Sequence, residues 1–421
     1  MIDQYTPYRR ALMKELQPAM GCTEPIALAY AAAEAGSRLG GYPEEIEVEA
    51  SRNIVKNVKS VIVPNTGGLY GIEAAVAAGF VARRPEAKLQ VLAEITDEER
   101  AEIGRRVKEP MVVRQSSEPD VFFIRVTGRL NGRTDTVTIR THHTNITCIE
   151  EDGRTILSEG DAPEEESAVE KWRIADLIAA ARVMPLGELE TYIAAQIEKN
   201  LAIAREGLAN NWGCGIGRVL LSRTEVETPL VLRARAWAAA GSDARMNGCE
   251  LPVVIVSGSG NQGITASVPV AVYAEGLKAP REKLLRAVLL SDLVTVALKQ
   301  GIGKLSAYCG AVSAGCGSGA GIAYLQGFDD DQIQKVITNA LAISSGLLCD
   351  GAKSSCAAKI SMSVEGAILA LDMVRNDTAF RPGDGIVQET TDDTAAAVGR
   401  IASRGMVGTD REIIRIMLGE S

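Results

Sequence analysis

The sequence CDGAKSSC, residues 349–356, lies between two long segments of helical periodicity, Leu325–Leu347 and Lys359–Val374. Other segments of the same kind precede them: Ser167–Val183, Leu186–Ala209 and Pro280–Lys299. Short glycine-rich stretches separate these segments, at residues 211–217, 257–263, 309–321 and 349–355. Periodic segments broken by short glycine-rich loops predict helices of one bundle, with the loops at the helix ends.

Residues 42–160 have a different pattern. Short β-branched or alternating runs occur there, at Glu45–Ala50, Ser60–Pro64 and Leu89–Glu94, with a helical segment at Ala74–Ala82. Val121–Leu130 and Thr136–Thr141 flank the dipeptide Asn131-Gly132, which is a strong turn signal for a β-hairpin. This part of the chain therefore predicts a small α/β domain.

The first 40 residues are helical in pattern. Ile26–Leu39 is alanine-rich, Pro25 suits a first helical turn, and Gly40-Gly41 provides a stop. We therefore expect the α+β class, with a mainly helical catalytic body and a smaller α/β domain inserted near the N-terminus. The expected division is 1–41, a helical segment packing on the body; 42–160, the α/β domain; and 161–421, the helical domain.

Composition restricts the partners of the protein. The chain has 421 residues, a net charge of -9 and 4% aromatic residues, which argues against nucleic acid as a partner. No apolar run reaches the roughly 20 residues that a membrane helix needs. Residues 1–14 are polar and lack the apolar stretch of a signal peptide, so we expect a cytoplasmic protein.

Three cysteines lie in glycine- and serine-rich segments, where a cysteine that merely packs is not expected: Cys309, Cys349 and Cys356. Cys316 competes with Cys309 for membership of this trio. A structural zinc site takes four protein ligands. A [4Fe–4S] cluster, in contrast, can be held by three thiolates, which leaves one iron open for substrate.

The segment GCTEP, residues 21–25, stands directly before the alanine-rich helix. A thiol at a helix N-terminus has a lowered pKa, so Cys22 is a candidate base or nucleophile. The alternative is a capping segment whose cysteine only packs.

Two further segments offer backbone amides to an anion. VPNTGG, residues 63–68, is either such a site or a tight turn that closes a strand. SGSGNQG, residues 257–263, suits an anion nest or the phosphate cup of pyridoxal phosphate. The chain has only two histidines, His142 and His143, which excludes a His₃ metal site. One of them could touch substrate, or both lie half-exposed at a strand end.

Four of these motifs occur in the order of a known family. The segments at 21–25, 258–263 and 349–353, followed by DGIV at 384–387, resemble the L-cysteine desulfidase family from residue 10 to the C-terminus. The C-terminal half is more distantly similar to the α-domain of bacterial iron–sulfur L-serine dehydratases. The spacing of the last two cysteines is shorter here than in the dehydratases.

The resemblance implies an oxygen-sensitive [4Fe–4S] cluster with Cys309, Cys349 and Cys356 as ligands and Cys22 as the proton acceptor. The expected reaction is elimination of sulfide from L-cysteine, which yields pyruvate and ammonia. Candidate groups for substrate binding are Asn65, Thr66, Asn261 and Gln262. Lys353 or Lys359 would offset the negative charge of the cluster.

Other functions remain open from the sequence. The same cluster would serve an L-serine dehydratase, and a pyridoxal-phosphate lyase would run the same net reaction with 258–263 as its phosphate cup. A non-catalytic iron–sulfur redox sensor is the alternative outside the enzymes. We expect a small amino acid as the binding partner, and the alanine-rich helices are compatible with a homodimer.

Overall fold

A computed structural model describes residues 4–118, 120–158, 172–222, 228–303 and 306–419. The α-helices in these ranges are α1 (Thr6–Glu15), α2 (Thr23–Leu39), α3 (Arg52–Val58), α4 (Gly71–Ala82), α5 (Asp97–Arg106), α6 (Ile174–Val183), α7 (Leu189–Ala209), α8 (Ile216–Leu221), α9 (Leu230–Met246), α10 (Gly260–Gly276), α11 (Arg281–Gln300), α12 (Gly310–Leu325), α13 (Asp330–Ser344), α14 (Cys356–Arg375), α15 (Thr391–Arg400) and α16 (Val407–Leu418). The strands are β1 (Pro18–Ala19), β2 (Glu45–Ala50), β3 (Val112–Gln115), β4 (Phe123–Leu130), β5 (Arg133–Arg140), β6 (Ile146–Glu151), β7 (Arg154–Ser158) and β8 (Val253–Val254). The predicted α+β class with a mainly helical body is confirmed.

Six strands form one mixed sheet in the order β3-β2-β4-β5-β6-β7. Strands β2 and β3 are parallel, and the other neighbours are antiparallel. The predicted hairpin is confirmed as β4 and β5, with Leu130 paired to Arg133 across the turn. Asn131 and Gly132 have φ angles of 50° and 76°, the left-handed values that a two-residue turn of this kind requires.

Helices α2 and α4 pack against each other, and α2 also packs on β4 and β5. Their buried apolar residues form one core with the inward-facing residues of the sheet, Ile26, Phe80, Val126 and Val137 among them. Helix α2 ends where expected, because Gly40 adopts a φ of 76° as its C-cap.

The larger core belongs to the helical body, in which α12 occupies the centre and contacts α10, α11, α13 and α14. The prediction of a glycine-rich loop over 309–321 is wrong for all but its first residue, because this segment forms α12. A side chain at Gly321 would come within 2.6 Å of the Ala287 carbonyl on α11. Glycine in this helix therefore permits close approach of neighbouring helices. The glycine content of the segment alone does not distinguish such a helix from a loop.

Two predicted strands are also wrong. Ser60–Pro64 contributes only an isolated bridge between Ile62 and Tyr70. Leu89–Glu94 lies in a 3₁₀ segment, Pro85–Gln90, and the turn after it. Short apolar runs are buried in turns as well as in strands, and here Val91 and Leu92 are buried against the core of the sheet layer.

The predicted helix Leu325–Leu347 is shorter in the structure, because Leu325 is the last residue of α12 and the helix within the span is α13, Asp330–Ser344. Asp329 accepts a hydrogen bond from the Gln332 amide, and the Gln332 side chain bonds back to the Asp329 amide. This capping box starts α13 afresh after the turn at Gly327, which has a φ of 82°. The shorter span follows from these local start and stop signals.

The first two helices join different cores. Leu12 and Leu16 belong to the core of the helical body, whereas α2 belongs to that of the sheet layer. Strand β1, between them, pairs with β8 of the body. The division of the chain at 41 and 160 stays a prediction, and its second boundary lies outside the described residues. Among the described residues, no helix combines the length and apolar character needed to cross a bilayer.

Candidate active site

Four helices begin at one place between the sheet layer and the body. Cys22 is the N-cap of α2, Ser259 the N-cap of α10 and Cys309 the N-cap of α12, while Cys356 is the first residue of α14. Cys22, Val61 and Met246 form a small apolar cluster on which Cys356 packs. Helix N-termini carry free amide groups and partial positive charge, so the place favours anions.

Backbone pairing brings Cys309 and Cys349 together. The Cys309 amide donates to the Leu347 carbonyl at 3.1 Å, and the Cys349 amide donates to the Ala307 carbonyl at 2.7 Å. These bonds flank an antiparallel bridge between 308 and 348. The two cysteines, forty residues apart in sequence, therefore lie beside each other on paired segments.

The thiols of the trio influence one another. Burial raises the pKa of Cys309 to about 12, and the nearby Cys349 and Cys356 add to the effect. Burial is also the main cause of the raised pKa of Cys356, with a further contribution from Cys349. The structure thus brings the three predicted ligands together. Cys316 lies inside α12, where burial raises its pKa to about 12.

Two lysines lie close to these thiols. Lys299 of α11 is 8% exposed, and burial lowers its pKa while Cys349 and Cys309 act in the opposite direction. Lys359 of α14 forms an ion pair with Asp350. Burial opposes its charge, but Asp350 and the nearby thiols raise its pKa above the usual range. Lys299 has no signal in the sequence, since only folding brings α11 to the trio.

The state of Cys22 differs from the expectation. Its thiol donates to Glu24 Oε2 at 3.0 Å, and burial, with the negative charge of Glu24, holds the pKa of Cys22 well above its usual range. The expectation of a lowered pKa is wrong, because desolvation outweighs the helix terminus. Cys22 is a thiol at neutral pH, with a carboxylate in position to accept its proton.

Glu24 was not predicted from the sequence as a site residue, although it lies in the GCTEP segment at 21–25. Its other oxygen, Oε1, accepts from Asn57 Nδ2 at 2.9 Å, and Thr23 Oγ1 lies 3.2 Å from Oε2. Burial would raise its pKa, but His143, the Cys22 thiol and Arg245 outweigh burial and hold the pKa of Glu24 below its usual value. Glu24 is therefore a buried, ionised carboxylate.

His143 lies at the edge of this site. It stacks edge-on against Phe122 with ring centroids 4.8 Å apart, and a side chain at Gly258 would come within 3.3 Å of its Cε1. Thr23 Oγ1 donates to the Gly258 carbonyl at 3.1 Å. The cysteine-containing motif at 21–25 and the glycine-rich motif at 257–263 thus meet here.

The four candidate substrate-binding residues differ in their surroundings. Asn65 Nδ2 donates to the Leu92 carbonyl at 2.7 Å, and Thr66 Oγ1 donates to the Val63 carbonyl at 2.7 Å. Asn65 is thus engaged with the turn after the 3₁₀ segment and Thr66 with its own loop, and their substrate role stays a prediction. Asn261 Oδ1 and Gln262 Oε1 are buried without a hydrogen-bond partner among the described residues. Such orphaned acceptors in a native fold indicate a missing donor.

The arrangement of the trio suits a cluster better than a single metal ion. Within the ranges that the structure describes, no group of three or more His, Cys, Asp or Glu residues surrounds a single point closely enough to hold one ion. A cubane cluster makes a different demand, because each thiolate binds its own iron and the ligands need not converge on one ion. The three neighbouring thiols, with Lys299 and Lys359 beside them, are of the type that holds such a cluster.

These features define an α+β protein with a cysteine-lined centre between a sheet layer and a helical body. A family model described as serine dehydratase alpha chain matches residues 86–415, and the chain belongs to this family. The serine dehydratase-like relationship expected from the motifs is confirmed.

Full-length relatives carry a name that assigns no activity. A UPF0597 protein of Desulfitobacterium hafniense (strain Y51) is 47% identical over 99% of this chain and 97% of its own. Similar proteins of the same name occur in Lachnoclostridium phytofermentans, 44% identical over 97% of this chain and 98% of its own, and in Treponema denticola, 39% identical over 99% and 98%. The relatives thus support the family and leave the substrate open.

Proposed function

We propose that the protein is an L-cysteine desulfidase that uses a [4Fe–4S] cluster to eliminate sulfide from L-cysteine. The observation that carries the proposal is the position of the cysteine trio, Cys309, Cys349 and Cys356, next to the buried pair Cys22 and Glu24. A Lewis acid at the leaving group and a proton-transfer pair are together sufficient for a β-elimination from an amino acid.

The cluster would be held by the three thiolates of the trio. Burial raises the pKa of Cys309 and of Cys356, so binding of iron would release protons from these two thiols. The N-termini of α12 and α14 and the ammonium groups of Lys299 and Lys359 would offset the negative charge. When bound, the cluster supplies an open iron that acts as a Lewis acid on the leaving group.

Cys22 is the proposed proton acceptor for the Cα hydrogen. The pKa of Cys22 is raised and that of Glu24 is lowered, so the proton rests on Cys22, and its transfer to Glu24 along the 3.0 Å hydrogen bond is an uphill step that must come first. The thiolate then takes the Cα proton as the Cβ–S bond breaks, which releases hydrosulfide and 2-aminoacrylate, and Glu24 returns its proton to the hydrosulfide. Tautomerisation and hydrolysis of the imine give pyruvate and ammonia. A base held in this way is worth about 10²–10⁴-fold in rate.

Dehydration of L-serine is the second candidate, and the description of the matching family favours it. Serine and cysteine differ only in the leaving atom, and the same base would act on both. The family relationship supports serine dehydratase-like chemistry, whereas the choice of sulfur as the leaving atom rests on the motif resemblance.

The test is to purify the protein without oxygen and measure iron, acid-labile sulfide and the visible spectrum. We expect about four irons per chain and a broad absorbance that air removes. Sulfide release from L-cysteine is then compared with pyruvate release from L-serine. A larger kcat/KM for L-serine would replace desulfidase with dehydratase. Iron-free protein with a chromophore that hydroxylamine removes would overturn the cluster in favour of pyridoxal phosphate.

A further inference from the structure

Arg245, near the end of α9, is a buried cation. Its side chain is 2% exposed, and its Nε has no hydrogen-bond partner among the described residues. No carboxylate in the part of the chain that the structure describes reaches salt-bridge distance from it. An unpaired charge in a protein interior is costly, so a guanidinium in this setting requires an anion.

The fold provides a fitted place for this guanidinium. A side chain at Gly260, the first residue of α10, would come within 2.7 Å of Arg245 Cζ. Gly260 does not have a positive φ, so space and not backbone conformation requires glycine there. The arginine thus lies against the N-terminus of α10, where free amide groups also favour an anion.

Arg245 also faces the groups of the proposed reaction. Burial is the largest influence on the pKa of Cys22, Glu24 and Cys356, and the positive charge of Arg245 lowers all three. Glu24 is not the missing anion, since it does not reach hydrogen-bond or salt-bridge distance of Arg245 and accepts instead from Cys22, Thr23 and Asn57. The missing partner is therefore a ligand that approaches the thiols.

We propose that Arg245 binds the α-carboxylate of the amino-acid substrate. The neighbouring acceptors Asn261 Oδ1 and Gln262 Oε1, buried and unpartnered among the described residues, suit the ammonium group of the same molecule. Gln262 also adjoins Gly310, the residue after Cys309, because a side chain at Gly310 would meet Gln262 Cδ at 2.7 Å. When the carboxylate and ammonium groups of the substrate are bound in this way, its side chain is directed toward the cysteine trio. This inference rests on the proposed function.

Ligands that lack one charged group test this role. 3-Mercaptopropionate keeps the carboxylate and thiol of L-cysteine, whereas cysteamine keeps the ammonium and thiol. Calorimetry with the anaerobically prepared holoprotein measures the affinity for each. In Arg245→Gln we expect roughly 10- to 100-fold weaker binding of 3-mercaptopropionate, since a charge-assisted hydrogen bond is lost, and little change for cysteamine. Arg245→Lys, which keeps the charge, should lose less.

Arg233→Gln is the matched control, because Arg233 lies on the same helix but is paired with Glu275 at the surface. It should leave both affinities unchanged. Equal weakening of both ligands in Arg245→Gln, or loss of iron with unchanged affinity for 3-mercaptopropionate, would overturn the role and make Arg245 a counter-ion of the thiols. Melting temperatures identify a variant that has not folded, and Arg245→Lys then decides.

The same measurement separates this inference from the proposed function, because binding does not depend on turnover. Wild-type protein that binds 3-mercaptopropionate through Arg245 but converts neither L-cysteine nor L-serine would contradict the reaction and leave the carboxylate site in place. Wild-type protein that binds no carboxylate ligand would overturn the carboxylate site.

Discussion

The thiol of Cys22 donates to Glu24 Oε2 at 3.0 Å, and both side chains are buried at the first turn of α2. The pair reverses the expectation for a cysteine at a helix N-terminus. A helix dipole contributes only a few tenths of a kcal/mol to about 2 kcal/mol, whereas full burial of an ionisable group shifts its pKa by several units. Burial and the adjacent carboxylate therefore decide the resting state of Cys22.

Replacing Cys22 should separate turnover from cluster binding. Cys22→Ala removes the proposed proton acceptor, and we expect turnover to fall by about 10²–10⁴-fold or more while iron content stays at the wild-type level. Cys249→Ala, another buried cysteine outside the trio, is the control and should retain activity. Full activity of Cys22→Ala would show that another group removes the proton.

Glu24→Gln tests whether the carboxylate accepts the proton of Cys22. The amide keeps the shape of the side chain but cannot take up a proton, so kcat should fall about 10²-fold without loss of iron. Removing the negative charge also lowers the pKa of Cys22, because Glu24 is one of the causes that raise it. The pH at which residual activity rises should therefore move down.

Glu34→Gln, about three turns further along α2, is the control for this substitution and should leave kcat unchanged. An unaltered kcat and pH profile in Glu24→Gln would make Glu24 a structural group that holds Asn57 and Thr23, and the proton of Cys22 would need another acceptor.

Turn and cap residues allowed part of the fold to be predicted from the sequence. The hairpin at 131–132 and the end of α2 at Gly40 follow from turn and cap residues that act within a few positions. The prediction of a loop at 309–321 is wrong because the glycines of α12 allow close packing of neighbouring helices, and no local sequence pattern reveals that packing. The strand predictions at 60–64 and 89–94 are wrong for a similar reason, since the apolar residues there are buried by packing in turns.

Some residues of the candidate site could be predicted from the sequence and others could not. Cysteines in glycine- and serine-rich segments are unusual whatever the fold, so the residues alone predict Cys349, Cys356 and either Cys309 or Cys316 as ligands, and the family resemblance favours Cys309. Arg245 and Lys299 were missed, since charged residues are normally exposed and only tertiary structure shows that these two are buried. Burial is the property that makes them informative, and it is the property that a single sequence does not supply.

Asp292 of α11 gives a prediction about stability. It is fully buried in the helical body, and burial raises its pKa to about 8, although a hydrogen bond from Gln196 Nε2 at 2.9 Å opposes this. The folded state therefore keeps a proton that the unfolded state has lost above the ordinary pKa of 3.8. This contribution to stability is complete below the unfolded pKa and is lost as the pH rises toward the folded value.

Asp292→Asn should remove this pH dependence, since the amide carries no proton to lose. Between about pH 6 and about pH 9 the variant should lose less stability than the wild type, by roughly 2–3 kcal/mol, in urea unfolding followed by circular dichroism. Asp377→Asn, at an exposed position, should follow the wild-type curve. Parallel curves for Asp292→Asn and wild type would mean that Asp292 is ionised in the folded protein.

The identity of the third cluster ligand is decided by comparing two cysteines of one segment. Cys309 lies beside Cys349 and Cys356 at the N-cap of α12, whereas Cys316 is 1% exposed and lies about two turns inside that helix. Serine in place of Cys309, Cys349 or Cys356 should therefore lower iron and acid-labile sulfide severalfold after anaerobic reconstitution, because a hydroxyl is a poor ligand for iron–sulfur clusters. Cys316→Ala should keep both at the wild-type level, with at most a modest loss of stability from the small cavity. Iron lost in Cys316→Ala but retained in Cys309→Ser would move the ligand into the helix and would require α12 to unwind when the cluster binds.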